Sequence, residues 1–462
     1  MSAPQGIAAS GVATARMAPR RKLSRPGSGV FQVALGFGAV LALGTFLLAL
    51  PFATESGDAP GLKNALFTAT SAVCVTGLVV RDTQVHWNTF GEVVILLLIQ
   101  VGGLGYMLGT TVVLWVVGRQ IGIRDRNMLR LYYGAPSMKE TLSFARGVAV
   151  FTFLFEAVGA LILTAAFMAE DVPARHAWWW GLFHSVSGFN NAGFSITGQD
   201  LAPYTGNEVI LTTLMLLVIV GGLGFIPVIT LVRRRSWRRL PLDSKLIFAT
   251  SAILLVAGAV FTTVVEWGNE STLGGEPAID RPLLGLFHSA VSRTAGFGTV
   301  NIGEMHEETK LATIGLMFVG GAAGSTAGGL KVGAFALLFA VMVATLRGRQ
   351  EVSAFRRQVP PLVIQQAVTL ALFYVAMVFA FTTALTFTSQ QEFIDSLFEV
   401  LSALGTVGFT AAGTVTFGGA GHVVLIVAML VGRFSPLLLV LFMSAPRRQL
   451  TYHHPPDSVR LG

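Results

Sequence analysis

The chain has 462 residues and a formal net charge of +8, with 53% hydrophobic and only 12% charged residues and a mean hydropathy of +0.67. Soluble domains carry about a quarter charged residues, so this composition excludes a soluble fold and points to several lipid-facing spans. The single cysteine, Cys74, excludes an intrachain disulfide and a cysteine-built zinc site.

Residues 1–29 form a basic arm with Arg16, Arg20, Arg21, Lys22 and Arg25, and they run into a long apolar stretch. A cleaved signal has a short apolar region and a small-residue cleavage site, so the arm reads as a cytoplasmic tail. Apolar stretches follow near 30–53, 89–118, 146–169, 208–232, 247–266, 311–345, 362–388 and 422–445. Each is long enough for a spanning helix, which needs about 20 residues. Within each successive pair lies a shorter apolar segment, near 61–73, 177–188, 282–292 and 392–403. Such lengths suit re-entrant helices better than spans.

Each short segment runs into a small-residue loop: SAVCVTGL (71–78), SGFNNAGF (187–194), AVSRTAGF (290–297) and SALGTVGF (402–409). Gly77, Gly193, Gly296 and Gly408 are each followed by a bulky apolar residue, and they lie 116, 103 and 112 residues apart. A second register supports the first. Val101-Gly102, Val220-Gly221, Val319-Gly320 and Val431-Gly432 follow the loop glycines by 24, 27, 23 and 23 residues. One valine–glycine pair is ordinary helix packing; four at nearly one offset predict a fourfold internal repeat.

The predicted fold is therefore an all-α integral membrane protein with eight transmembrane helices and four re-entrant half-helices. Four tandem repeats of helix, pore helix, filter loop and helix occupy 30–118, 146–235, 245–347 and 360–446, between tails at 1–29 and 447–462. With the N-terminus inside, the cytoplasmic segments hold 24 of the 32 Lys/Arg residues, the positive-inside pattern of a multi-pass cell-membrane protein with both termini cytoplasmic. That distribution explains the basic charge without nucleic acid. Acidic residues gather on the outer half, either as ordinary loop solvation or as a mouth that concentrates cations.

A dehydrated cation needs a ring of oxygens, which backbone carbonyls of four loops around an axis can supply. The half-helix preceding each loop adds its negative end. The expected ligand positions are Val75, Thr76 and Gly77; Asn191, Ala192 and Gly193; Thr294, Ala295 and Gly296; and Thr406, Val407 and Gly408. A cation carrier working by alternating access, coupled to Na+ or H+, is the alternative, although such folds commonly use inverted repeats and these repeats share one orientation. No HExxH or nucleophile elbow marks an enzyme.

The loops VCVTGLV, FNNAGFS, SRTAGFG and LGTVGFT resemble the filter loops of the Trk/Ktr/HKT potassium transporter superfamily. GGAAGSTAGGLKV (320–332) is similar to its intramembrane loop, and Arg433 matches its inner-helix arginine. The short tail before the first span makes the chain most like the Ktr-type membrane subunit, KtrB. The resemblance implies a K+-conducting protein without a bound cofactor, with Na+ as activator in some members. It further implies a homodimer and a separately encoded cytoplasmic ring of nucleotide-binding subunits.

The third inner segment is overlong, and Gly320, Gly321, Gly324, Gly328 and Gly329 give it five glycines in ten residues. Glycine costs about 1 kcal/mol against alanine in a helix. Either Gly320, Gly324 and Gly328 form a packing face, or the segment unwinds into a gate, with Ser325 and Thr326 satisfying freed backbone groups and Lys331 at its end. Arg433 lies mid-span, at the position of the second glycine in Gly102-Gly103, Gly221-Gly222 and Gly320-Gly321. A central arginine costs about 2.5–3.5 kcal/mol on insertion scales, so it should face water or a polar partner and raise a barrier beside the pore. Arg293 should brace the third loop through carbonyls or an acid such as Glu304. Trp178, Trp179 and Trp180 read as an interfacial belt, and His453-His454 as an exposed tail.

Overall fold

Leu-, Val- and Ala-rich runs have no partner for their backbone groups in lipid except the helix itself, and the chain is helical over most of its described length. A computed structural model describes residues 28–120 and 138–444, with side chains for 35–108 and 143–434. Most of the basic arm, much of the 119–146 segment and the tail bearing His453-His454 lie outside the described residues.

The first group of elements is α1 (Ser28–Leu48), α2 (Leu62–Cys74), the short α3 (Thr83–His86) and α4 (Thr89–Gln120). The second is α5 (Met138–Ala169), α6 (Ala174–Phe189), α7 (Glu208–Leu223) and α8 (Phe225–Arg234). The third is α9 (Leu242–Val265), α10 (Arg281–Val291), α11 (Glu307–Phe318) and α12 (Val332–Leu346). A two-stranded hairpin, β1 (Ser353–Ala354) and β2 (Arg357–Gln358), leads to α13 (Pro361–Thr388), α14 (Phe393–Gly405) and α15 (Gly418–Ser444).

Burial is inverted relative to a soluble bundle. The short helices α2, α6, α10 and α14 form the core, and Phe67, Phe183, Phe287 and Phe398 on them are fully buried. The long helices surround them and turn Leu97, Leu161, Val260 and Phe379 outward, as lipid permits. Among the described residues five helices are long and apolar enough to cross a membrane, and the α7–α8 pair makes a sixth.

Two expected spans are interrupted. The 208–232 stretch bends by 96° between Leu223 and Phe225, where Gly224 has φ +77. The 311–345 stretch ends as helix at Phe318 and resumes at Val332. Both breaks serve one contact, described below.

Long and short helices meet through small residues. A side chain on Gly181 of α6 would run into Thr164 and the Ala160 carbonyl of α5, and one on Gly285 of α10 into Thr263 and the Ala259 carbonyl of α9. Ser185 Oγ donates to Glu156 O at 2.6 Å across the first interface, and Ser289 Oγ to Leu255 O at 2.9 Å across the second. Close backbone approach replaces hydrophobic attraction, which lipid does not supply. Gly285→Val is expected to lower the thermal midpoint of the detergent-purified protein, with overpacking costing about 1–3 kcal/mol. Gly315→Val, at a position where an added Cβ meets nothing within 4 Å, should leave the midpoint near wild type.

Candidate functional site

The four loops after α2, α6, α10 and α14 share one backbone conformation. The glycine has positive φ in each: Gly77 +91, Gly193 +67, Gly296 +58 and Gly408 +101. So does the residue two positions earlier: Val75 +58, Asn191 +59, Thr294 +118 and Thr406 +51. Left-handed backbone at a non-glycine residue costs about 1–2 kcal/mol, and four matching instances persist only where the surroundings hold them.

Helix ends and serines hold them. Thr76 N, Ala192 N and Val407 N donate to Ser71 O, Ser187 O and Ser402 O at 2.7–2.8 Å. Ser71 Oγ accepts from Gly77 N at 3.1 Å and Ser402 Oγ from Gly408 N at 3.1 Å. In the second loop Ser187 Oγ bonds to Phe194 instead, accepting from its N–H at 3.0 Å and donating to its carbonyl at 2.8 Å. The third loop has no such serine: Ala295 N and Gly296 N donate to Val291 O at 2.8 and 3.1 Å.

The loop glycines meet in a closed cycle. A methyl group on Gly77 would collide with Ala192 O, on Gly193 with Ala295 O, on Gly296 with Val407 O, and on Gly408 with Thr76 O. Each loop thus presents its backbone to the next, and the fourth returns to the first.

The second register has a physical origin. Gly102, Gly221 and Gly432 abut the carbonyls of Val73, Phe189 and Leu404, each four residues before a loop glycine. The inner helix rests there on the end of its own half-helix. Gly320 departs from this pattern and packs against Gly328 O of the 319–331 segment.

That segment is non-helical and folds on itself. Gly320 N donates to Leu330 O at 3.0 Å, and Val332 N to Gly321 O at 3.1 Å. Its N–H groups also reach the broken end of α7: Ala322 N donates to Gly222 O at 2.9 Å and Thr326 N to Gly221 O at 3.4 Å. The bend at Gly224 frees those carbonyls, and Gly224 lies against Gly324 and Ser325. Ser325 Oγ closes an inner turn on Ala322 O at 2.7 Å, and Lys331 Nζ donates to Ala327 O at 2.6 Å.

Arg433 is buried, 1% exposed. It donates to Thr326 O and, at 2.9 Å, to Gly102 O, and its guanidinium lies 4.3 Å from the Tyr106 ring centroid. Lys331 approaches the same ring at 5.3 Å. Arg293 does not meet Glu304. It donates to Ser251 O at 3.4 Å, Ser251 Oγ at 3.3 Å and Gly320 O at 3.2 Å, because it faces α9 and the 319–331 segment. Among the described residues the only ion pair is Lys310–Glu307, so these three cations are held by carbonyls, hydroxyls and a ring face. Of the three tryptophans Trp178 is exposed, while Trp179 Nε1 donates to Glu92 Oε2 at 2.7 Å. Cys74 is a buried free thiol.

A further set of buried polar residues was not anticipated from the sequence. Each buried phenylalanine of the short helices precedes a buried polar residue: Thr68, His184, His288 and Glu399. Glu399 accepts from Thr410 Oγ1 at 2.7 Å and Thr414 Oγ1 at 2.6 Å. His184 Nε2 lies 2.9 Å from Ser195 Oγ, and the His288 ring stacks on Phe409 at 5.3 Å. The signal was a phenylalanine nine or ten residues before each loop glycine. Glu156, on α5, accepts from Asn190 Nδ2 at 2.9 Å behind the second loop.

Apolar helices enclosing four buried half-helices and a cycle of glycine loops define a multi-pass membrane transport protein. The family model described as TrkH, cation transport protein, matches residues 39–451, and the chain belongs to that family. It is 34% identical to the Ktr system potassium uptake protein B of Bacillus subtilis, covering 93% of this chain and 96% of that protein. It is also 34% identical to the potassium/sodium uptake protein NtpJ of Enterococcus hirae, covering 96% and 99%. The crystal structure of the potassium transporter TrkH from Vibrio parahaemolyticus superposes with a TM-score of 0.67 at 18% identity, covering 92% of this chain and 86% of that one. The fold is thereby shared.

Asp200 clamps the third loop: its carboxylate accepts from Gly298 N, and Leu201 N donates to Gly298 O at 3.0 Å. Burial, with a smaller contribution from Asp82, pushes the Asp200 carboxyl up to about 7. A carboxyl that binds its proton more tightly when folded stabilises the fold at low pH and loses that contribution as pH rises from about 4 to 7. Asp200→Asn cannot ionise and still offers an oxygen to Gly298. Its thermal midpoint relative to wild type should therefore be higher at pH 8 than at pH 5.

Proposed function

We propose that this chain takes up potassium across the cell membrane through a pore at the glycine cycle. The pore is built from four tandem repeats, 30–118, 146–235, 245–347 and 360–446, in a pseudo-fourfold arrangement of eight spans and four half-helices. The single observation that carries this reading is the closed contact of Gly77, Gly193, Gly296 and Gly408 with the neighbouring backbones. Four half-helices end there, and their negative ends favour a cation. Carbonyls of Val75 to Gly77, Asn191 to Gly193, Thr294 to Gly296 and Thr406 to Gly408 line the filter. Potassium is the transported ion, sodium an activator, and no resident cofactor is needed.

The 319–331 segment is the gate. Gly320, Gly321, Gly324, Gly328 and Gly329 allow it to fold across the path, Ser325 closes a turn on its backbone while the Thr326 hydroxyl ties it to the second loop, and Lys331 and Arg433 place positive charge below the filter. That charge opposes an approaching cation. The protein works as a homodimer, both termini lie in the cytoplasm, and a cytoplasmic ring of nucleotide-binding subunits sets the gate. Arg233 to Arg239 and Arg347 to Arg357 give that ring a basic surface.

The names of the relatives cover potassium alone and potassium with sodium, so ion preference is the property to measure. In a bacterium lacking potassium uptake, the wild type should restore growth on low potassium and Gly77→Asp should not. Absence of rescue by membrane-inserted wild type refutes the reading; rescue by the variant removes the filter assignment. Arg433→Gln should raise rubidium flux into liposomes about tenfold, equivalent to roughly 1.4 kcal/mol of barrier; equal flux would discard the charge barrier.

A further inference from the structure

The second filter loop alone carries an amide side chain two residues before its glycine. At the left-handed position two before the glycine stand Val75, Thr294, Thr406 and Asn191. The Asn191 amide is buried and uses both ends. Its Nδ2 donates to Thr294 Oγ1 of the third loop at 3.1 Å and to Val218 O of α7 at 3.3 Å. Its Oδ1 accepts from Thr326 Oγ1 at 3.0 Å. The donors and acceptors around it fix this amide orientation.

Thr326 belongs to the 319–331 segment and is fully buried. Its hydroxyl bonds to Asn191 and, at 3.4 Å, to Phe189 O at the end of α6. Its carbonyl accepts from Arg433. One residue therefore joins the segment, the second loop and, through Asn191, the third loop. Arg293 makes a second tie beside Thr294, to Gly320 O. In a buried setting no water replaces a broken bond, so each partner left behind carries its full desolvation cost.

We propose that Thr326 is a selectivity-determining residue of the pore, acting as a positioning residue through Asn191. The gate and the filter then form one hydrogen-bonded unit. The Thr326 hydroxyl stays on Asn191 Oδ1 while the rest of the segment clears the path, so the amide holds the spacing between the second and third loops during conduction. This proposal rests on the pore reading given above.

The test is the ratio of rubidium to sodium flux into liposomes holding the purified chain. Thr326→Val keeps the shape and removes the hydroxyl; it should lower the ratio about three- to tenfold, the range one hydrogen bond allows. Thr326→Ser should restore the wild-type ratio. In an Asn191→Ala background, Thr326→Val should change the ratio no further. A Thr326→Val variant that alters rubidium flux at an unchanged ratio overturns the proposal, as does additivity with Asn191→Ala. If Thr326→Val fails to insert, Thr326→Ala carries the same expectations. Absence of rubidium flux in wild type would instead sink the pore reading itself, so the two failures are distinct.

Discussion

No water is at hand inside a bilayer to satisfy a backbone carbonyl that leaves a helix, and the whole architecture follows from how this chain disposes of such carbonyls. Four half-helices end in the protein interior. Three of those ends are covered by an inner helix, through Gly102, Gly221 and Gly432. The carbonyls of the following loops face neighbouring loops around a closed cycle, where no side chain can intrude. On the pore reading proposed above, these oxygens would serve a cation that exchanges its hydration shell for them.

The same constraint couples two breaks that look unrelated along the chain. Unwinding 319–331 creates N–H groups without partners; breaking α7 at Gly224 creates carbonyls without partners. Each break supplies what the other lacks, through Ala322 N to Gly222 O and Thr326 N to Gly221 O. Neither break would be stable by itself at that depth.

This mutual dependence also separates what was legible in the sequence from what was not. The four loops were legible because glycine is demanded at fixed spacing by a backbone-to-backbone contact. The valine–glycine register was legible for the same reason. The glycine-rich 320–329 stretch left two readings open, since small residues serve packing and unwinding equally well. The bend at Gly224 was not legible: GGLG inside an apolar run looks like a helix-packing motif, and its need arises from a segment some 100 residues away. The partner of Arg293 was likewise hidden, because a side chain beside a loop can turn toward either face. Thr68, His184, His288 and Glu399 escaped notice because their residue types differ while their positions agree.

Charge placement completes the logic. The acids Glu156 and Glu399 lie behind the second and fourth loops, bonded to Asn190 and to threonines. The cations Arg293, Lys331 and Arg433 all contact the 319–331 segment through its carbonyls, at Gly320, Ala327 and Thr326. A carbonyl that binds a guanidinium or an ammonium is unavailable to a passing ion. On the pore reading, occupying the segment's carbonyls with fixed cations would keep it from acting as a second binding site. On the same reading Lys331 and Arg433 would repel the ion while the segment is docked, and their hydrogen bonds would have to be exchanged before the path cleared. Holding the segment through Arg293, Lys331 and Arg433 makes the third and fourth quarters of the chain different from the first two, although the glycines at the centre remain alike.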